Sequence, residues 1–143
     1  MHPEFVYLIR LVVAAALGAM LGWEREQAGK SAGLRTHMLV AIAAALYTAL
    51  AELSVQVYEG APDGLRADPI RAIQAIAVGI GFLGGGVIVV RHPGETVSGL
   101  TTAASIWATA AIGIAAGLAH YRLAVGATLL LIVVLRAMAR FDR

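Results

Sequence analysis

The chain has 143 residues, 59% of them hydrophobic and 14% charged, with a mean hydropathy of +0.79 and a formal net charge of +2. Soluble domains carry about a quarter charged residues; a chain this apolar could not cover its own surface with polar groups, so lipid is the expected solvent for most of it. The absence of cysteine excludes disulfides, thiol catalysis and thiolate metal sites, and in so apolar a chain the small positive excess points to loop orientation rather than to nucleic acid.

Five apolar runs follow one another. The first, residues 5–23, is nineteen residues long, roughly 28 Å as a helix and enough to cross the hydrocarbon. Residues 1–4 lack the positive n-region of a cleaved signal and Arg10 interrupts the apolar run, so a retained span is expected. A polar loop, 24–35, contains Gly29 and Gly33 and leads to span two at 37–57, whose one charge is Glu52. The next loop holds Gly60, Pro62, Asp63 and Gly64, a turn-rich composition. Asp68 is placed to cap span three (70–90), with Pro69 at a first position where a missing N–H does no harm. A charged turn at 91–95, span four at 100–118, a short connection and span five at 123–139 complete the chain. The fold expected is an all-α, polytopic bundle of five transmembrane helices forming one domain over residues 1–143.

Counting Lys and Arg orients it. Arg25, Lys30, Arg35, Arg91, Arg136, Arg140 and Arg143 fall on one side, and Arg10, Arg66, Arg71 and Arg122 on the other. The positive-inside rule then puts the N-terminus outside and the C-terminus in the cytoplasm.

Small residues recur at spacing four: Ala14, Gly18 and Gly22 in span one, Ala77, Gly81 and Gly85 in span three, and Thr101, Ser105, Thr109, Gly113 and Gly117 in span four. Such ridges let helix backbones approach closely in lipid. A second reading of the dense 79–86 stretch is a helix that bends or unwinds and frees carbonyls to line a cavity. Gly79, Gly81 and Gly84 also match the dinucleotide-binding fingerprint letter for letter, but that motif works only between a strand and a helix.

Two polar groups stand out against the apolar background. Arg10 and Glu52 fall at similar depth on consecutive antiparallel spans, and Asp68, Arg71 and Gln74 open span three at the same surface. They read either as a neutralised network that joins three helices or as an outward-open site for a hard cation or a proton, with Asp68 and Glu52 as the candidate Mg²⁺ ligands. At the other surface lie Glu24, Arg25 and Glu26, then Arg35, Thr36 and His37, facing Thr101 and Thr102 at the start of span four. The free N–H groups of that helix start favour a carboxylate, and Glu24 or Glu26 could supply it; His37 reads as an interfacial anchor. No nucleophile has an evident base and no histidine cluster exists, so an enzyme is not expected.

The motifs Gly22-Trp23-Glu24-Arg25-Glu26, Ala32-Gly33-Leu34-Arg35-Thr36-His37-Met38-Leu39-Val40, Asp68-Pro69-Ile70-Arg71 with Gln74, the glycine run from Gly79 to Gly86, and Gly99 to Trp107 together resemble the MgtC/SapB family of bacterial inner-membrane proteins. The resemblance covers the chain from Arg10 to about Tyr121. It implies a multi-pass inner-membrane protein linked to growth in low magnesium and, in some pathogens, to survival inside macrophages. Family members have been described as magnesium transporters, and for the virulence members a modulatory role, including restraint of the ATP synthase, is the better-regarded view. The resemblance singles out Arg10, Glu24, Arg25, Glu26, Arg35, Thr36, His37, Asp68, Arg71, Gln74, Thr101 and Thr102. This chain departs from the pattern at Gly84-Gly85-Gly86, where Gly-Ala-Gly is usual. Many members also continue into a cytoplasmic C-terminal domain, whereas this chain stops at Arg143, so functions needing that domain are expected of a separate partner. The expected role is a regulator that acts through another membrane protein or a homo-oligomer, the alternative a small conduit for Mg²⁺, protons or another cation.

Overall fold

Long apolar runs with polar breaks leave helices as the structure that satisfies every backbone group in lipid. The computed structural model describes residues 3–58, 68–88 and 97–141. They form five helices: α1 (Pro3–Gln27), α2 (Leu34–Tyr58), α3 (Pro69–Val87), α4 (Leu100–Gly117) and α5 (Tyr121–Phe141). Each contains a stretch long and apolar enough to cross a membrane.

Local chemistry sets the ends. Gly29, at φ +67°, closes α1: its N–H donates to the Glu26 carbonyl, and the Lys30 N–H to that of Arg25, the paired bonds of a Schellman turn. The same pair of bonds ends α4 around Ala119, a non-glycine residue at φ +60°, and permits the short step into α5. Asp68 caps α3 by accepting from the Ile70 N–H at 2.9 Å, with Pro69 following it. Several boundaries differ from the sequence reading: α1 starts at Pro3 and continues past Trp23 to Gln27, α2 begins at Leu34, α3 ends at Val87 with Ile88 as its C-cap, and α5 runs from Tyr121 to Phe141. Glu, Arg and Gln are good helix formers, so Glu24, Arg25 and Glu26 ride on α1 rather than in the loop. The expected loop residues 59–67 and the expected turn 91–95 lie outside the described residues, as do positions 89 and 90 of span three.

α4 sits at the centre, touching all four other helices, while α3 meets only α2 and α4 and α5 meets only α1 and α4 among the described residues. The main core is built from Ala14, Leu17 and Leu21 of α1, Ala41 and Ala45 of α2, Ile112 and Ala116 of α4, and Ala124 of α5. So many alanines bring backbones close, the contact that substitutes for a hydrophobic drive between helices in lipid. The outward shell is apolar, with Val12, Leu39, Val78, Phe82 and Leu130 all exposed, as lipid requires.

The glycine ridges divide. A Cβ on Gly18 would lie 2.7 Å from the His37 carbonyl oxygen, and one on Gly22 2.7 Å from Leu34 Cα. Gly113 stands against Ala41 and Ala44, and Gly117 against Ala45 and Thr48. Ser105 and Thr109, on the same α4 ridge, are buried. On α3, by contrast, Gly79, Gly81, Gly85 and Gly86 have no described residue within 4 Å of a would-be Cβ. The packing expected of Gly81 and Gly85 within the bundle is therefore absent, and Gly84, 3.6 Å from the Ala103 Cβ, makes the approach instead. α3 stays helical from Pro69 to Val87, so the glycine run does not unwind.

Candidate functional site

At the end of the bundle where α1 finishes, two charges are buried side by side. Arg25 donates through Nε to Glu24 Oε2 at 2.5 Å and through Nη2 to Oε1 at 2.9 Å, and the two residues are only 2% and 6% exposed. Adjacent helix positions do not normally face one another; here both side chains turn inward and meet. Nearby, packed against Gly22 of α1, is His37 of α2. It is fully buried, so it is not the interfacial anchor read from the sequence. Its Nδ1 donates to the Gly33 carbonyl at 2.9 Å, leaving Nε2 3.1 Å from the Ser105 hydroxyl of α4. That hydroxyl also reaches the Thr102 carbonyl at 2.8 Å, and with one proton it donates to one acceptor at a time. The His37–Ser105 bond thus joins α2 to α4, while the Glu24–Arg25 pair lies within α1.

The start of α4 receives neither Glu24 nor Glu26. Glu24 is taken by Arg25, and Glu26 accepts from the Leu34 N–H at 2.9 Å, capping α2 instead. The Schellman turn at Gly29 reverses the chain so that the α2 start returns to α1, which is why Glu26 serves that helix. α4 begins at Gly99, φ +89°, without a side-chain cap; Thr101 is exposed and Thr102 buried. Arg35 is exposed and Thr36 half-buried at the same rim.

At the opposite end Arg10 joins three elements. Its Nη1 donates to Glu52 Oε2 at 2.6 Å and to the carbonyl of Gly117, the last residue of α4, at 2.8 Å. Its Cζ lies 4.8 Å from the centre of the Tyr7 ring. The guanidinium therefore ties α1 to α2 and caps α4, where the dipole favours a cation. Asp68 and Arg71 form a separate, exposed pair at 3.8 Å, and Gln74 is exposed on the same helix. Among the described residues the five expected to form one network fall into two groups: Arg10 and Glu52 pair between α1 and α2, and Asp68, Arg71 and Gln74 stay exposed on α3, which packs on α2 but does not touch α1. A cavity of about 280 Å³ between α2 and α3 is lined by Thr48, Glu52, Gln56, Pro69, Ile73 and Leu118, so Glu52 faces it and Asp68 is one residue from its wall. Among the described residues no group of three or more His, Cys, Asp or Glu is placed to hold a metal ion; Glu52 and Asp68, the two candidate ligands, are engaged with Arg10 and with the α3 start.

Sequence reasoning missed the alanine face of α2, although Ala41, Ala44, Ala45, Thr48 and Ala49 recur at helical spacing. It also missed the His37–Ser105 bond, which spans 68 positions and has no local signature.

Comparison with known proteins bears on this arrangement. The MgtC family matches residues 11–143. This chain belongs to the MgtC family. It is 38% identical over 135 residues to "Putative magnesium transporter YhiD" of Escherichia coli strain K12, covering 94% of this chain and 60% of that protein. It is 40% identical over 128 residues to "Protein MgtC" of Salmonella typhimurium, covering 90% and 50%. It is 39% identical over 136 residues to an uncharacterized protein of Haemophilus influenzae, covering 94% and 57%. The chain thus spans about half to three fifths of the length of these curated relatives. No solved structure matches it. Family membership and five apolar helices identify a multi-pass protein of the inner membrane.

Proposed function

We propose that this MgtC-family protein serves magnesium homeostasis as a membrane-embedded regulator, not an enzyme, and that it acts through a transmembrane helix of another protein docked on α3. The names of its relatives support the magnesium role. The observation that carries the docking reading is the bare face of α3. Gly84 is the only buried residue of that helix among those described, and Gly79, Gly81, Gly85 and Gly86 meet nothing. Each glycine weakens a helix by roughly 1 kcal/mol relative to alanine, a cost unmatched by any close approach at these four among the described residues. Gln74 adds an exposed amide, a group that hydrogen-bonds across helices in lipid. Under the orientation that the Lys and Arg count favours, the Arg10 end faces outward and the Glu24 end the cytoplasm.

The test is to place leucine at Gly81 and Gly85 together. Open space among the described residues and better helix propensity predict a melting temperature at or above that of wild type. In a host lacking its own members of the family, the variant is expected to lose support of growth in low Mg²⁺. Growth equal to wild type would count against the docking face.

The transporter reading has one observation in its favour, the cavity beside Glu52. Against it, the carboxylate that would attract a cation is neutralised by Arg10.

A further inference from the structure

We propose that Arg10 is a tethered cation occupying a hard-cation site formed by the Glu52 carboxylate and the Gly117 carbonyl. Arginine ordinarily meets a carboxylate with two parallel N–H bonds. Here one nitrogen, Nη1, makes both contacts, to Glu52 Oε2 at 2.6 Å and to the Gly117 oxygen at 2.8 Å. Nε is buried without a hydrogen-bond partner among the described residues. The guanidinium is thus used as a point charge between two oxygens from different helices, and its fork geometry goes unused.

The surroundings suit a cation whatever carries it. Both acceptors are hard oxygens, the donor type that alkali and alkaline-earth cations prefer. Gly117 lies at the negative end of the α4 dipole. The Tyr7 ring faces the guanidinium at 4.8 Å, within cation–π range. Glu52 opens onto the cavity of about 280 Å³, where Thr48 and Gln56 add further oxygen-bearing side chains. That space holds several waters, and a small divalent cation keeps part of its hydration shell. A diffusing cation entering there meets Glu52 already neutralised. Removing the positive charge while keeping the side-chain stem would turn the same oxygens into a binding site.

The experiment compares wild-type protein, R10M and the R10M/E52Q double variant in detergent, titrated calorimetrically with MgCl₂ and with NaCl at constant ionic strength. R10M is expected to bind one of the two cations at least about tenfold more tightly than wild type, and the gain is expected to vanish in the double variant. Equal affinity in wild type and R10M, or a gain that survives E52Q, overturns the proposal. Should R10M fail to fold, wild-type protein decides. Wild type and E52Q are expected to bind MgCl₂ with equal affinity, because Arg10 already occupies the site, and a wild-type affinity that is lost in E52Q overturns the proposal.

Discussion

Replacing Glu24 by glutamine is expected to destabilise the bundle by about 3–5 kcal/mol. Arg25 is 2% exposed and its Nε and Nη2 both rest on Glu24. Without that carboxylate a guanidinium stays buried with no compensating charge, and its Nη1 has no hydrogen-bond partner among the described residues even in the wild type. Taking both charges away is different, because a buried pair contributes little beyond the desolvation it offsets. The double variant E24Q/R25M should therefore recover most of the loss. Glu26→Gln is the control: its side chain is exposed and makes one bond to the Leu34 N–H, so a cost of about 1 kcal/mol is expected. Unfolding followed by circular dichroism in detergent gives all three values. An E24Q protein that melts with the wild type would contradict the reading of the two residues as a buried, mutually neutralised pair.

Gly113→Leu is expected to prevent formation of the stable bundle. A Cβ at this position would fall on the Ala41 carbonyl, 2.9 Å from Ala44 Cβ and 3.0 Å from Ala41 Cα. None of these atoms belongs to a flexible side chain, so α2 and α4 must part, and with them the alanine core of Ala41, Ala45, Ile112 and Ala116. Alanine alone already overpacks the contact, and a loss of about 1–3 kcal/mol is expected for Gly113→Ala. Gly85→Leu, one glycine of the same spacing on α3, should not lower stability, because no described residue lies within 4 Å of its would-be Cβ. Size-exclusion profiles and melting curves of the three variants check this. Equal behaviour at Gly113 and Gly85 would mean that the helices are not packed as described.

These two pairs of residues also mark what a sequence can disclose. Five spans were legible because apolar runs of membrane length are a property of composition along the chain. Spacing four among small residues was legible too, but it reads the same on α3 and α4. Which ridge meets a neighbour depends on how the helices are arranged around α4, and no local pattern carries that. Gly113 is sealed against α2 while Gly81 and Gly85 face outward. His37 looked like an interfacial residue because its position along the chain lies next to a polar loop. Its burial follows from Ser105, 68 positions away, which only the fold brings beside it. Arg10 and Glu52 were matched in depth from consecutive antiparallel spans, and their ion pair is present. Asp68, Arg71 and Gln74 were matched by the same reasoning and stand apart from it, since equal depth does not imply adjacency.

The central claim is that the protein regulates through another membrane protein and does not itself carry magnesium. Purified wild-type protein in sealed liposomes, loaded with a Mg²⁺-sensitive dye and given an inward Mg²⁺ gradient, tests it most directly. The account predicts the leak rate of protein-free vesicles. A saturable Mg²⁺ influx abolished by Glu52→Gln would contradict it.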